Sequence, residues 1–82
     1  MASSDPPVAD AELDASGLNC PMPLLKAKQA LNRLQVGQTL SVRATDPGSE
    51  RDFEVFARQS GHDLLSASRE GDAFLYLLRK TS

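Results

Sequence analysis

Four consecutive residues, Cys20-Pro21-Met22-Pro23, constrain the local fold of this chain more tightly than any other stretch. Proline is favoured in the first turn of a helix, because the N–H that it lacks would have no intrahelical partner there. Gly17 favours a turn just before these residues, and the alternating run Ala11–Ala15 precedes that turn. The pattern predicts a short strand, a tight turn and a helix that begins at Pro23.

The remaining elements follow from hydrophobic periodicity and from turn residues. Apolar residues recur at helical spacing as far as Leu34, where the first helix is expected to end. Ser49 is predicted to cap a second helix, which Gly61 ends. Three further strands are predicted, at Thr39–Thr45, Asp63–Arg69 and Ala73–Arg79.

This βαβαββ order predicts an α/β chain, specifically an α+β two-layer sandwich. A mixed four-stranded sheet would carry both helices on one face. A helical crossover makes the first two strands parallel, so both strand-to-helix turns should leave the sheet at the same edge. A length of 82 residues suits one domain with a modest core. We expect residues 1–10 to form a disordered tail and residues 11–82 to form the domain.

Composition excludes several classes of function. The net charge of −2 argues against bulk binding of nucleic acid. One cysteine excludes an internal disulfide, and one cysteine with one histidine excludes a closed zinc site within a single chain. No metal and no cofactor is therefore predicted. The sequence has no membrane-length apolar run and no secretory signal, so a cytoplasmic location is expected.

The single cysteine is the candidate reactive group. A lone cysteine is more often a small buried hydrophobe, but Cys20 lies in a polar turn outside the apolar stripe of the helix. At a helix N-terminus the dipole favours the thiolate. The backbone N–H groups of Met22 and Leu24 are expected to be free there. The sequence therefore predicts an exposed thiol with a lowered pKa.

The turn between the second strand and the second helix is Asp46-Pro47-Gly48-Ser49. Two charged residues in or just after it could lie close to the thiol at the shared edge of the sheet. Asp46 is interpreted as a turn and capping residue in preference to a general base. Arg51 could reach the sulfur or an acidic partner. Equally, it could be an ordinary exposed arginine that pairs with Glu54 or Asp52.

The only histidine, His62, follows the second helix and is expected at the opposite edge of the sheet. The helix between the two edges would be roughly 16 Å long, so His62 should not contact the thiol. We therefore interpret His62 as part of a helix-ending turn. A nucleophile without its own base is typical of a carrier whose partners supply the catalytic groups.

A basic run lies between Asp14 and Asp46, where the chain has no acidic residue. It adjoins the reactive turn, so we favour a docking face over an ordinary solvated surface. The four cations are Lys26, Lys28, Arg33 and Arg43.

These features together resemble the TusA/SirA family of small sulfur-carrier proteins, whose signature is Cys-Pro-x-Pro. The resemblance covers about residues 11 to 80. The segments that carry it include Leu13-Asp14-Ala15, Cys20-Pro21-Met22-Pro23, Asp46-Pro47-Gly48-Ser49, Arg51-Asp52-Phe53 and Tyr76-Leu77-Leu78-Arg79-Lys80.

The resemblance implies a sulfurtransferase-type carrier without independent turnover. Cys20 would accept a sulfane sulfur as a persulfide from a cysteine desulfurase or a rhodanese-like donor. It would then pass the sulfur to an acceptor protein, in tRNA thiolation or in other sulfur or cofactor metabolism. Family members that act in tRNA thiolation often have an acidic residue at the position of Met22, so the acceptor stays open. Residues expected to shape the site or bind partners are Pro21, Met22, Pro23, Lys26, Asp46 and Arg51.

Two other classes of function remain open at this stage. A non-catalytic regulatory module that binds protein or RNA could use the same scaffold, but it would have no need of a reactive thiol. A thiol redox protein is the weaker option, because the chain has no second cysteine to resolve an intermediate.

Overall fold

The computed structural model describes residues 9–82, so most of the predicted tail, residues 1–8, lies outside the described part. The predicted βαβαββ order is confirmed. Within the described residues, no helix is both long enough and apolar enough to span a membrane. The elements are β1 Ala11–Ala15, α1 Met22–Asn32, β2 Thr39–Ala44, α2 Ser49–Ser60, β3 Asp63–Glu70 and β4 Ala73–Arg79.

The sheet is mixed, in the order β1-β2-β4-β3. β1 and β2 are parallel, whereas β4 is antiparallel to both of its neighbours. This agrees with the predicted four-stranded arrangement, in which a helical crossover joins the first pair of strands and a hairpin joins the last. Asp10, assigned to the tail from the sequence, belongs to the folded domain. Its Oδ2 accepts the Thr39 N–H at 2.8 Å, and its own N–H donates to Thr39 Oγ1 at 3.2 Å.

The hydrophobic core lies between one face of the sheet and the two helices. Along β2, Leu40, Val42 and Ala44 are fully buried, while the alternating Arg43 is exposed on the other face. The ring of Phe53 from α2 stacks on that of Tyr76 from β4, with centroids 4.5 Å apart. The fold is therefore a two-layer α+β sandwich.

β4 is an interior strand of the sheet, as its run of consecutive apolar residues indicates. Its two faces differ. Phe74, Tyr76 and Leu78 are buried under the helices, whereas Leu75 and Leu77 are only half-buried. The part of the chain that the structure describes has no second layer over this other face.

The boundaries of α1 differ from the prediction at both ends. The helix begins at Met22, one residue before Pro23, because Pro21 occupies the N-cap. The helix ends at Asn32, because the N–H groups of Arg33 and Leu34 donate to carbonyl oxygens three residues earlier in the chain, where an α-helix would use the fourth. The Leu34 N–H, for example, donates to Leu31 O at 3.0 Å.

The predicted cap of α2 is wrong, and the reason is tertiary. Gly48 occupies the N-cap, and Ser49 is the first helical residue. The side chain of Ser49 is buried, and its hydroxyl hydrogen-bonds the hydroxyl of Tyr76 at 2.7 Å. A buried partner on β4 therefore uses the oxygen that was expected to cap the helix. The predicted stop at Gly61 is confirmed by its left-handed φ of +83°.

The Ser49–Tyr76 pair should stabilise the docking of α2 on the sheet. We expect Tyr76→Phe or Ser49→Ala alone to lower the free energy of unfolding by about 1–3 kcal/mol, because each leaves a buried hydroxyl without its partner. The double variant should lose less than the sum of the two single losses. Urea denaturation of the four proteins measures this coupling. Strictly additive losses would show that the two hydroxyls do not depend on each other.

Candidate functional site

The two strand-to-helix turns meet at the carboxyl ends of β1 and β2. The Gly17 N–H in the first turn donates to Thr45 Oγ1 in the second at 2.8 Å. Gly48, in the second turn, packs against Cys20: an added Cβ there would lie 3.6 Å from Cys20 Cβ. The predicted shared edge is confirmed, and the thiol is the chemically reactive group at this edge.

Cys20 is exposed, as predicted. The residues that follow it fix the position of its backbone. It directly precedes Pro21, the N-cap of α1, through a cis peptide bond. Pro23 in the first turn is buried and fixes the start of the helix against the core. One expected feature is absent: the Met22 N–H is not free, because it donates to Asn19 O at 2.8 Å.

The side chain that contacts the sulfur comes from the second helix. The Cys20 thiol donates a hydrogen bond to Asp52 Oδ2, with the two atoms 2.5 Å apart. Asp52 lies in the first turn of α2, where its N–H donates to Gly48 O at 3.1 Å. The next residue, Phe53, is fully buried and fixes the rotation of the helix about its axis. Core packing therefore presents the carboxylate to the thiol.

This contact makes the predicted lowering of the Cys20 pKa wrong. The hydrogen bond to Asp52 raises the pKa of the Cys20 thiol. Partial desolvation and the negative charges of Asp52 and Asp46 act in the same direction. The hydrogen bond favours the neutral thiol, and the nearby carboxylates disfavour a thiolate. The earlier prediction considered only the dipole of α1, whereas the deciding groups come from α2 and from the turn before it.

Asp46 shapes the turn, as its sequence position predicted. Its Oδ2 accepts the Gly48 N–H at 3.0 Å, and its carbonyl oxygen accepts the Ser49 N–H at 3.0 Å. A side chain at position 48 would meet this carboxylate, because an added Cβ would lie 2.9 Å from Asp46 Oδ2. The absence of a side chain at Gly48 thus lets the Asp46 carboxylate and the Cys20 thiol lie on either side of this residue.

Arg51 is exposed beside the site without contacting the sulfur. Among residues 9–82, Arg51 forms an ion pair with neither Glu54 nor Asp52. Glu54 pairs with Arg58 instead, with Glu54 Oε1 3.1 Å from Arg58 Nη2. Arg51 lines a groove of about 300 Å³ between α1 and α2. The other residues that line this helix groove are Leu24, Lys28, Asp52, Val55, Phe56 and Gln59.

The basic run predicted as one docking face is divided over three surfaces. Lys28 lies in the helix groove, with its Nζ 5.5 Å from the centre of the Phe56 ring. Lys26 and Arg33 line a separate groove between α1 and β1. Arg43 lies on the far face of the sheet, opposite Asp14 in the register of β1 and β2. Only Lys28 shares the helix groove with the residue that contacts the thiol.

His62 belongs to the end of α2, as predicted. Its Nδ1 accepts the Thr81 N–H at 3.1 Å, and its ring lies 5.8 Å from that of Phe56. The only histidine is therefore engaged away from the thiol. Asp52, the residue that contacts the thiol, is missing from the residues that the sequence predicts for the site, where it enters only as an ion-pair partner for Arg51. The sequence did contain an indication of this contact. Asp52 lies in the first turn of α2, which begins at the edge of the sheet where the thiol is expected.

The family model described as "Sulfurtransferase TusA" matches residues 11–80. The chain belongs to the TusA family. The sulfur carrier protein TusA of Allochromatium vinosum is 54% identical over 72 residues, which cover 88% of this chain and 95% of that protein. The sulfur carrier protein TusA of Pseudomonas putida is 45% identical over 71 residues, which cover 87% of this chain and 89% of that protein.

The fold also matches a solved structure. A SirA-like protein from Desulfitobacterium hafniense superposes with a TM-score of 0.76, over 88% of this chain and 99% of that one. The sequence identity of 22% makes this a similarity of fold. The resemblance to the TusA/SirA family that the motifs indicated is thus confirmed by the family model and the sequence relatives, and the fold agrees with it.

The raised pKa of Cys20 can be tested by alkylation. The rate of modification by iodoacetamide follows the thiolate fraction, so its midpoint should lie above the ~8.5 of a free cysteine. Mass spectrometry across a pH series measures the midpoint. A midpoint below that of a free cysteine would mean that the dipole of α1 outweighs the carboxylate of Asp52.

Proposed function

We propose that this protein is a sulfur carrier that accepts a sulfane sulfur as a persulfide on Cys20 and passes it to an acceptor protein. The observation that supports this most directly is the exposed thiol on a rigid strand-to-helix junction, in a chain of the TusA family. A non-catalytic binding module has no use for such a thiol. The carrier function is therefore favoured over the regulatory or RNA-binding alternative.

The surroundings of the thiol suit a reaction between two proteins. Met22 and Leu25, on the first turn of α1, are 41% and 42% exposed although both are large and apolar. Apolar side chains exposed beside a reactive group are typical of a protein-docking surface. Met22, with its neighbours Pro21 and Pro23, would guide the partner's sulfur to Cys20.

A sulfur carrier requires a donor and an acceptor. We infer that the donor is a cysteine desulfurase or a rhodanese-like protein, in the cytoplasm, and that any pyridoxal phosphate resides on that donor. The sulfur would proceed to tRNA thiolation or to other sulfur or cofactor metabolism. Met22 replaces the acidic residue common in tRNA-thiolation members of the family, which makes a different acceptor reasonable.

The central test follows sulfur on the protein itself. After incubation with a cysteine desulfurase and cysteine, the wild-type protein should gain the mass of one sulfur atom and lose it to an acceptor thiol. Cys20→Ser should gain none, because it removes the only thiol in the chain. Addition of sulfur to the serine variant would refute Cys20 as the carrier site.

The division of the basic residues generates a sharper prediction for docking. Charge reversal of Lys28 and Arg51 to Glu should slow loading from the desulfurase about tenfold at low ionic strength, where electrostatic steering is strong. Both residues flank the helix groove that contains Asp52. Neither makes an ion pair within residues 9–82, so the thermal midpoint should change little.

A matched control comes from two other cations, Lys26 on α1 and Arg33 at its C-cap. Charge reversal of Lys26 and Arg33 changes the net charge equally, but these residues flank the separate groove against β1. Stopped-flow loading at low and high salt should show a smaller effect for this pair. Equal slowing by both variants would indicate attraction by overall charge, and no slowing by either would remove the docking role of the cations.

A further inference from the structure

We propose that Asp52 is a catalytic residue of the carrier, which takes the thiol proton from Cys20 during loading and returns it during unloading. The inference rests on the carrier function proposed above. Asp52 touches the reacting atom, since the thiol of Cys20 donates its hydrogen bond to Asp52 Oδ2. The proton that must leave before the sulfur can attack is therefore already directed at its acceptor.

The chemistry balances without any further reactant. In loading, Cys20 Sγ bonds to the outer sulfur of the donor persulfide, the S–S bond of the donor breaks, and its electron pair stays on the departing thiolate. The Cys20 proton passes to Asp52, and the donor thiolate is protonated from solvent. Cys20 is oxidised from thiol to persulfide as the donor persulfide is reduced to a thiol. Unloading reverses these steps on the acceptor side, and Asp52 returns its proton to Cys20 Sγ.

The charged groups around the thiol single out Asp52 for this role. Asp46, the other nearby carboxylate, has its Oδ2 engaged by the Gly48 N–H. From α1 and α2 respectively, Lys28 and Arg51 line the same helix groove as Asp52. The contact to the sulfur is made by Asp52 alone of these charged groups.

A purely structural or inhibitory role for Asp52 predicts the opposite result from a catalytic one. Loss of the carboxylate removes the hydrogen bond and the charge that disfavour the thiolate, so intrinsic thiol reactivity must rise. If thiolate fraction alone set the rate of loading, loading would rise with it. If Asp52 accepts the proton, loading falls while alkylation rises. The two rates thus move in opposite directions only under the proposal.

The experiment uses Asp52→Asn, which keeps the shape of the side chain and removes its basicity. Inorganic polysulfide serves as the donor, because a small donor makes the result independent of protein docking. We expect the loading rate, followed by mass spectrometry near neutral pH, to fall at least about tenfold. Alkylation by iodoacetamide should be several-fold faster in the same preparation.

The unloading step gives a second, independent measurement. Cyanide attacks the outer sulfur of the persulfide, thiocyanate departs, and Cys20 Sγ is left to take up a proton. A sulfur atom of lower pKa is the better leaving group, so thiolate stability alone predicts faster release from the Asn variant. Proton return from Asp52 predicts slower release. Colorimetric detection of thiocyanate measures the rate.

Two control variants separate the role of Asp52 from loss of charge or of fold. Glu50→Gln removes the same charge from the same helical turn but leaves the thiol contact intact, and it should load at the wild-type rate. Asp52→Glu retains a carboxylate and should recover much of the loading rate. Circular dichroism shows whether each variant is folded. If the Asn variant does not fold, Asp52→Glu is compared with the wild-type protein. A Glu variant that loads and alkylates as fast as the wild-type protein supports a carboxylate as the proton acceptor. A folded Glu variant that alkylates at the wild-type rate but no longer loads counts against it.

The outcomes distinguish this inference from the carrier function. If the wild-type protein gains sulfur and Asp52→Asn gains it as fast or faster, the catalytic role of Asp52 is overturned and the carrier function stands. If the wild-type protein gains no sulfur from either polysulfide or a protein donor, both are overturned.

Discussion

The site of this protein depends on the parallel pairing of β1 with β2. The register sets Ala15 beside Ala44, and both residues are fully buried, so the two strands end at the same level of the sheet. Each strand leads into a helix, and the turns that follow are therefore neighbours. The hydrogen bond from Gly17 to Thr45 ties them together. Without this pairing, Cys20 and Asp52, which are 32 residues apart in the chain, would not meet.

A thiol held in its protonated form suits a sulfur carrier. The thiolate is the nucleophile, so a cysteine with a raised pKa reacts slowly with chance electrophiles at neutral pH. The same sulfur is a poor leaving group, because a more basic thiolate departs more slowly. A persulfide on Cys20 would then be retained until a proton is delivered. On the proposed role of Asp52, the carboxylate that disfavours the thiolate of the empty carrier is also the group that returns a proton to Cys20 Sγ when the loaded carrier releases its sulfur.

Much of this structure could be predicted from the sequence, because periodicity and turn residues act locally. The six elements, the shared edge and the exposed thiol followed from proline, glycine and alternation. The position of Asp52 did not follow, because the side of α2 that faces the first turn depends on the burial of Phe53 and Ser49. The cap of α2 is another case that depends on tertiary packing. The partner of the Ser49 hydroxyl, Tyr76, lies 27 residues further along the chain, so local sequence could not show that this hydroxyl is engaged on β4.

The basic run shows the opposite case, because the sequence itself indicates that its cations do not share one surface. A cluster of cations along the chain is not a cluster in space when it crosses a helix and a strand. Arg43 alternates with the buried Val42 and Ala44, which places it on the face of the sheet away from the helices. Strand periodicity alone would have removed it from the docking surface. On α1, by contrast, the division between Lys28 and the pair Lys26 and Arg33 depends on where α2 packs, which only the fold reveals.

Docking and chemistry are joined in one residue of α2. Asp52 contacts the sulfur on one side and lines the helix groove on the other. A partner that enters the groove with an acidic segment would pair with Lys28 and Arg51, and it would then lie against the residue that contacts the thiol. The burial of Phe53 sets the rotation of α2, so the same packing fixes both the side of Asp52 that meets the sulfur and the side that meets the groove.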